Sequence, residues 1–191
     1  MTDSPDDIDQ EFSDILAAIG REDRPDAVRR AVAAYEGGLE HPLIFILAAE
    51  GFEADGRVEE AITLLRQATE EAPEGAEGWR RLGGALARHG QPAEARKVLE
   101  TALGIDPNIY WTQYMAGVVS GQMNDLDAAE GYYRRAAALD PAQSEPRAAL
   151  EAIAEYRQKL AASAAPAVAP RSWGMKFQVT PNTPGKDERL N

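Results

Sequence analysis

The chain has 191 residues, 44% of them hydrophobic, no cysteine and a formal net charge of −12 at pH 7. Without cysteine there are no disulfides or thiolate metal sites, and a reducing, cytoplasmic environment is favoured. Residues 1–75 hold 19 acidic and six basic side chains, so we expect no nucleic-acid partner, because this half repels phosphate backbones.

The N-terminal part of the sequence predicts an acidic arm and a short helical hairpin. Residues 1–7 form the arm, which lacks the apolar core of a signal peptide. Apolar residues recur at helical spacing over residues 8–20, and Pro25 begins a second helix that Gly37 ends. We therefore expect a degenerate helical hairpin over residues 8–41. Nowhere does an apolar run reach the roughly 18 residues of a membrane span.

A pattern of small and large residues recurs every 34 positions from Pro42 onward. Its best copy, residues 76–109, predicts two helices around a turn, and residues 42–75 and 110–143 align with it without an insertion. Such regularity indicates three structural repeats. In the central copy the aligned residues are Trp79, Leu82, Gly83, Leu86, Gly90, Ala95, Leu99, Ala102 and Pro107.

Two kinds of small residue explain the spacing within each unit. One lies in the first helix and lets the partner helix approach closely; the other lies between the helices, where a positive φ suits Gly or Asn. The third unit departs from the pattern, since Gln113 and Ser120 replace large apolar residues, and we expect weaker packing there. The small residues are Ala49, Gly83 and Gly117 in the helices, and Gly56, Gly90 and Asn124 in the turns.

This pattern resembles the tetratricopeptide repeat family, because the central unit, W-x2-L-G-x2-L…A-x3-L-x2-A-x4-P, is close to the family consensus. The resemblance implies an all-α, right-handed α-solenoid of antiparallel helix pairs that serves as a protein-binding scaffold. Residues 144–162 mix apolar and charged positions, as expected of a capping helix. Residues 163–191 form a linker and tail with an apolar cluster, which comprises Trp173, Met175 and Phe177.

In the resembled family the first helices line a concave groove, and ligand contacts cluster at fixed positions in them. Such a groove is expected here to be apolar at both ends with arginines in the middle. The lysine and asparagine clamp of heat-shock-protein adaptors is missing at Leu43, Ile46 and Glu50, so that role is disfavoured. The carried-over positions, with Arg88 just beyond one of them, are Leu43, Ile46, Leu47, Glu50, Arg80, Arg81, Gly84, Arg88, Trp111, Tyr114, Met115 and Val118.

Each group of groove residues also has a purely structural explanation. The aromatic pair Trp111 and Tyr114 could turn inward to replace the bulk missing at Gln113. The arginine pair of the second unit could bond to neighbouring glutamates, a surface effect of small value. The aliphatic residues of the first unit could lie beneath the N-terminal hairpin. All three explanations would have to be correct for no exposed binding surface to remain, so the sequence favours a binding groove.

No nucleophile, base and orienting residue stand together as a catalytic site requires, and His41 and His89 lack the acidic spacing of a metal site. We therefore expect no enzyme activity, cofactor or metal, and predict an adaptor that binds a protein or peptide segment in the groove. One alternative is a self-associating module whose own tail docks there through Trp173, Met175 and Phe177. Another is a chaperone for a secreted bacterial protein.

Overall fold

The computed structural model describes the backbone of residues 5–164 and the side chains of residues 10–163, and this part of the chain contains nine helices. No strand occurs among these described residues. The helices are Pro5–Gly20 (α1), Arg24–Glu36 (α2), Pro42–Ala54 (α3), Val58–Glu71 (α4), Ala76–Arg88 (α5), Pro92–Ile105 (α6), Tyr110–Gln122 (α7), Leu126–Leu139 (α8) and Glu145–Ala164 (α9).

Neighbouring helices pack in the order of the chain, up to α8. Each first helix contacts its own second helix, as in α3 with α4 and α5 with α6, and each second helix contacts the first helix that follows it. The first helix α5 also contacts the first helices α3 and α7 on either side of it, so the three share one face. This arrangement confirms the predicted all-α solenoid of helix pairs, in which each unit buries its apolar face against its neighbours.

Small residues in the first helices allow the close contacts that the sequence predicts. A Cβ atom added at Gly83 would lie 2.6 Å from Cγ of Leu99, and one added at Gly117 would lie 2.6 Å from Cε1 of Tyr133. Ala49 fills the same position in the preceding unit and is buried. The second helix therefore lies against the backbone of the first helix, and no larger side chain fits between them.

The turn between paired helices has the same backbone conformation in every unit, including the N-terminal one. Gly56, Gly90 and Asn124 have φ values of 77°, 75° and 58°, which confirms the predicted positive φ. Glu22 lies one full repeat before Gly56 and has a φ of 58°. The N-terminal hairpin thus follows the same repeat register through its turn, although its sequence lacks the glycine that would have indicated it.

Glu22→Gly is expected to raise the free energy of unfolding by about 0.5–1 kcal/mol, because a side chain in the left-handed region is strained and glycine is not. Urea denaturation followed by circular dichroism measures the change. Asn124→Gly serves as the control, since asparagine tolerates this conformation better, and its effect should be close to zero. Equal effects of the two substitutions would contradict the explanation by strain.

Gln113 is buried and hydrogen-bonded rather than loosely packed. Its Nε2 donates to the carbonyl oxygen of Pro107 at 2.7 Å, and its Oε1 accepts from Nε of Arg135 at 3.0 Å. Trp79, one unit earlier, donates the equivalent bond to the carbonyl of Pro73 at 2.8 Å. The predicted weakness of the third unit is therefore wrong at this position, because a polar side chain takes over the bond that tryptophan makes.

The repeat register continues into α9. Arg147 lies one full repeat after Gln113 and donates to the carbonyl of Pro141 at 2.9 Å. Glu151 occupies the position of Gly117 and is exposed. A charged, exposed residue at this position is consistent with the expected role of α9 as a cap.

The ends of two helices differ from the sequence expectation by a few residues. α1 begins at Pro5, so residues 5–7, predicted as part of an arm, are already helical. Proline is favoured in the first turn of a helix, and this position was outside the apolar pattern used to place the helix. α9 ends at Ala164, slightly beyond the predicted cap. In the described residues no helix is long and apolar enough to cross a membrane.

Candidate functional site

The shared face of α3, α5 and α7 contains a pocket of about 170 Å³. Its lining comes from residues of α5 and of α7. Every residue that lines the pocket belongs to the set of groove residues predicted from the sequence. The pocket places cationic and apolar side chains next to one another. These residues are Arg80, Arg81, Gly84, Arg88, Trp111 and Met115.

Trp111 projects from the start of α7 at the edge of this pocket and is 48% exposed. Its ring meets the rings of Tyr110 and Tyr114 edge to face, at centroid distances of 5.0 Å and 6.0 Å. Those two tyrosines stack at 6.1 Å, and Tyr114 also lies 5.8 Å from the buried ring of Tyr133. The alternative in which the aromatic pair turns inward is therefore wrong for Trp111. Tyr114 is half-buried, and its ring contacts that of Trp111.

Glu50 of α3 binds arginines from two neighbouring helices. Arg24, at the start of α2, contacts its carboxylate at 2.5 Å, and Arg81 of α5 contacts it at 3.0 Å. Arg81 also bonds to Glu77 at 2.8 Å, and Arg80 pairs with the same carboxylate. Hydrogen bonding from Arg24 lowers the pKa of Glu50, so this carboxylate stays charged at neutral pH. The predicted arginine pair is thus already engaged with glutamates.

Arg88 and Gly84 form the floor of the pocket. Arg88 bonds to Glu53 of α3 at 2.7 Å, and its guanidinium lies over Gly84, 3.3 Å from where a Cβ atom of that residue would be. Met115 Cε lies 3.8 Å from the same point. The space between Arg88 and Met115 therefore exists because Gly84 has no side chain.

The aliphatic residues predicted at the other end of the groove are largely covered. Leu47 is 1% exposed and packs in a buried cluster with Ile15 of α1 and Ile44, so its assignment to the ligand surface is wrong. Leu43 packs against the same cluster, and Ile46 packs against the main core; both are half-buried. The N-terminal hairpin covers this end, as one alternative from the sequence anticipated.

Val118 continues the α7 side of the groove toward α9. It is half-buried and packs in a cluster that includes Tyr114, Tyr133 and Ile153. The tail residues Trp173, Met175 and Phe177 lie outside the described residues, so their docking stays a prediction. Within the described part of the chain, no group of His, Asp or Glu side chains is arranged to hold a metal ion.

Three groove residues were not found from the sequence. Leu16 and Ile19 of α1 lie one full repeat before Glu50 and Glu53, and both are exposed. Arg24 binds Glu50 from the start of α2. Extending the repeat offset by one more unit would have identified the two aliphatic residues, whereas nothing in the repeat pattern indicates Arg24.

Helix pairs in a constant repeat register define the class of helical repeat proteins, and comparison with known families identifies the particular repeat. Family models described as tetratricopeptide repeat match residues 46–108 and 112–143. The chain belongs to the tetratricopeptide repeat family. No curated protein matches the sequence at a significant level.

Solved structures with the same fold come from proteins with different roles. The chain is similar to MamA (TM-score 0.62, 17% identity, covering 74% of this chain and 83% of that one). It is also similar to the first TPR of Spaghetti (RPAP3) bound to the HSP90 peptide SRMEEVD (0.60, 18%, 61% and 93%). A third is the type III secretion translocator chaperone SycD of Yersinia enterocolitica (0.57, 18%, 60% and 92%). At these identities the likeness concerns the fold.

Proposed function

We propose that this protein is a non-catalytic adaptor that binds a peptide segment of another protein in the groove of α3, α5 and α7. The observation that carries the proposal is the pocket at which Trp111, 48% exposed, meets three arginines. Large apolar side chains that remain exposed beside a concave surface are typical of interaction sites. The preferred ligand has a bulky apolar side chain next to a carboxylate.

The apolar contact supplies most of the affinity. Burying Trp111, Met115 and a matching ligand side chain contributes on the order of 6 kcal/mol or more before association and ordering are subtracted. After that subtraction the net affinity is expected to be weaker than about −6 kcal/mol, which is a dissociation constant of tens to hundreds of micromolar. That range suits an adaptor that releases its partner.

The arginines determine which apolar ligand is accepted. A ligand carboxylate would exchange with Glu77 or Glu53 for Arg80, Arg81 or Arg88, and exposed ion pairs of this kind are worth about 0–1 kcal/mol each. Exchange is therefore nearly neutral, and the three arginines of the pocket can accept a ligand carboxylate at little cost. The charge acts on specificity more than on affinity.

One neighbour with this fold, RPAP3, is described as bound to an acidic peptide of HSP90, which supports peptide binding as a use of such a groove. In this chain Leu43, Ile46 and Glu50 stand where the resembled family's heat-shock-protein adaptors carry the lysine and asparagine clamp. We therefore propose an internal apolar and acidic segment as the ligand, rather than the acidic C-terminus of a heat-shock protein.

Binding of a fluorescent peptide GSLEFEGS, measured by anisotropy, tests the proposal. We expect a dissociation constant of about 50–500 µM for the wild-type chain and at least a tenfold weakening in Trp111→Ala, because the central aromatic contact is lost. Peptides with both glutamates changed to glutamine, or with both apolar residues changed to serine, should also bind more weakly.

Tyr156→Ala is the matched control, because Tyr156 is 47% exposed and lies on α9. This variant should bind the peptide like the wild-type chain. An unchanged affinity in Trp111→Ala, or binding that does not distinguish the three peptides, would rule out the proposed site.

A further inference from the structure

Leu16 and Ile19 form an apolar surface on α1 that the packing of the hairpin does not use. They are 47% and 38% exposed, while Ile15 and Ala18 beside them are fully buried. The buried pair already supplies the contacts of α1 with the rest of the solenoid, and Ile15 clusters with Ile44. The exposed pair is only partly covered and presents aliphatic surface to water.

The register places this pair on the groove side. Leu16 and Ile19 lie one full repeat before Glu50 and Glu53, and these glutamates bind the groove arginines Arg81 and Arg88. Equivalent positions of successive first helices face the same side of a solenoid whose units stack in a constant register. Two groove positions of α1 are thus aliphatic where α3 has Glu50 and Glu53.

Contacts connect the two surfaces without interruption. Ile19 and Arg24 line a pocket of about 230 Å³ together with Glu22. Arg24 bonds to Glu50, and Glu50 bonds to Arg81, which lines the pocket beside Trp111. A polar bridge of paired arginines and glutamates therefore separates two apolar sites on one continuous face.

We infer that Leu16 and Ile19 form a second apolar anchor site for the same partner segment, an inference that rests on the proposed function. The partner then has two bulky apolar residues separated by an acidic stretch. Packed helices lie about 8–10 Å apart, so the three steps from α1 to α7 span at least about 24–30 Å. An extended peptide covers this distance in about eight or nine residues.

The bridge selects acidic residues between the anchors. Each of its four arginines, Arg24, Arg80, Arg81 and Arg88, is paired with a glutamate, and Glu22 lines the pocket beside Arg24, so the bridge is close to neutral. Glutamates in the spacer can replace Glu53 or Glu77 as partners of these arginines at little cost, whereas a neutral spacer offers the arginines no such partner. The expected partner is thus a segment of at least ten residues, apolar at both ends and acidic in the middle.

Peptides of two lengths test the second site against the first. The short probe is GSLEFEGS, and the long probes add a Leu-Leu anchor after an eight-residue Glu/Gly/Ser spacer, placed at the N-terminal end in one peptide and at the C-terminal end in the other. Because the peptide direction is fixed by the groove, one long probe should bind about tenfold more tightly than the short probe.

The double variant Leu16→Ser/Ile19→Ser should abolish that tenfold gain and leave the affinity of the short probe unchanged. The matched control is Ile105→Ser/Leu160→Ser, whose targets are 39% and 49% exposed and lie on α6 and α9. The control should retain the gain. Unchanged short-probe binding in the double variant also shows that it has folded.

The outcomes separate the two proposals. Absence of a gain with either long probe, or a gain that survives the double variant, overturns the α1 site while the short probe still reports on Trp111. A long probe that depends on Leu16 and Ile19 when the short probe fails to bind supports the α1 site and overturns the pocket at Trp111. A concentration-dependent mass that disappears in the double variant would overturn the inference by showing a contact between copies of the chain.

Discussion

Gly83→Ala is expected to lower the free energy of unfolding by about 2 kcal/mol, whereas Gly84→Ala, at the next residue of α5, is expected to raise it by up to about 1 kcal/mol. At Gly83 the new Cβ atom would lie 2.6 Å and 2.7 Å from two carbon atoms of Leu99, which is buried and cannot move aside. The helices must separate locally to accept it.

At Gly84 the nearest atoms belong to flexible side chains. They are Nη1 of Arg88 at 3.3 Å and Cε of Met115 at 3.8 Å, both of which can shift. Alanine there gains the helix propensity that glycine lacks, which is worth about 1 kcal/mol in a helix interior. The same methyl group fills part of the pocket, so we expect Gly84→Ala to bind the short peptide several-fold more weakly.

Urea denaturation and peptide anisotropy on the same preparations test both expectations. Gly131→Ala is the control, because its Cβ atom on α8 would meet only the guanidinium of Arg135, at 3.8 Å and beyond. Gly131→Ala should raise the free energy of unfolding as Gly84→Ala does, and it should leave the affinity for the short peptide unchanged. If Gly83→Ala were as stable as the wild-type chain, the close contact of α5 with α6 would not be what requires glycine.

The fold could be predicted from the sequence because its main determinants are local and repeat. Gly83 and Gly117 mark the close contacts between helices, and Gly90 and Asn124 mark the turns, each pair separated by one full repeat. Glu22 occupies the same turn conformation without the residue type that signals it. Packing of the neighbouring helices imposes that conformation, and packing is not visible in a single residue.

The positions of the groove residues could also be predicted, and their environment in part. The contact positions of the resembled family placed Arg81 and Trp111 in one groove, and the structure finds them in one pocket. Bonding of Arg81 to neighbouring glutamates was one of the alternatives, whereas the contact of Arg24 with the same Glu50 was not, because Arg24 lies on another helix, far away along the chain. Burial of Leu47 depends on the N-terminal hairpin, whose sequence follows the repeat only weakly.

The third unit shows how one departure from the repeat compensates another. The earlier units have Phe45 or Trp79 in the first helix at the position of Gln113, where the third unit has no aromatic ring. Its aromatic ring comes instead from Tyr133 in the second helix, where the earlier units have leucine. That ring lies over Gly117 and is buried, and burial raises the pKa of its hydroxyl to about 12. The bulk has moved from one helix to its partner.

Tyr133→Ala is therefore expected to lower the free energy of unfolding by about 3–4 kcal/mol, the largest effect of any substitution considered for this protein. The loss would be concentrated in α7, α8 and α9, because each unit contacts only its neighbours and Ile153 of α9 packs in the same cluster. Urea denaturation should show an early partial loss of helical signal before the main transition.

The same substitution links stability to the groove. The ring of Tyr114 contacts the rings of both Tyr133 and Trp111. Removal of the buried Tyr133 ring should therefore loosen the position of Trp111 and weaken binding of the short peptide by tenfold or more. Tyr132→Ala is the control at the adjacent residue; Tyr132 is only half-buried, with its ring under the guanidinium of Arg135, and should lose about 1 kcal/mol. Equal losses for the two tyrosines would contradict the view that Tyr133 carries the bulk missing at Gln113.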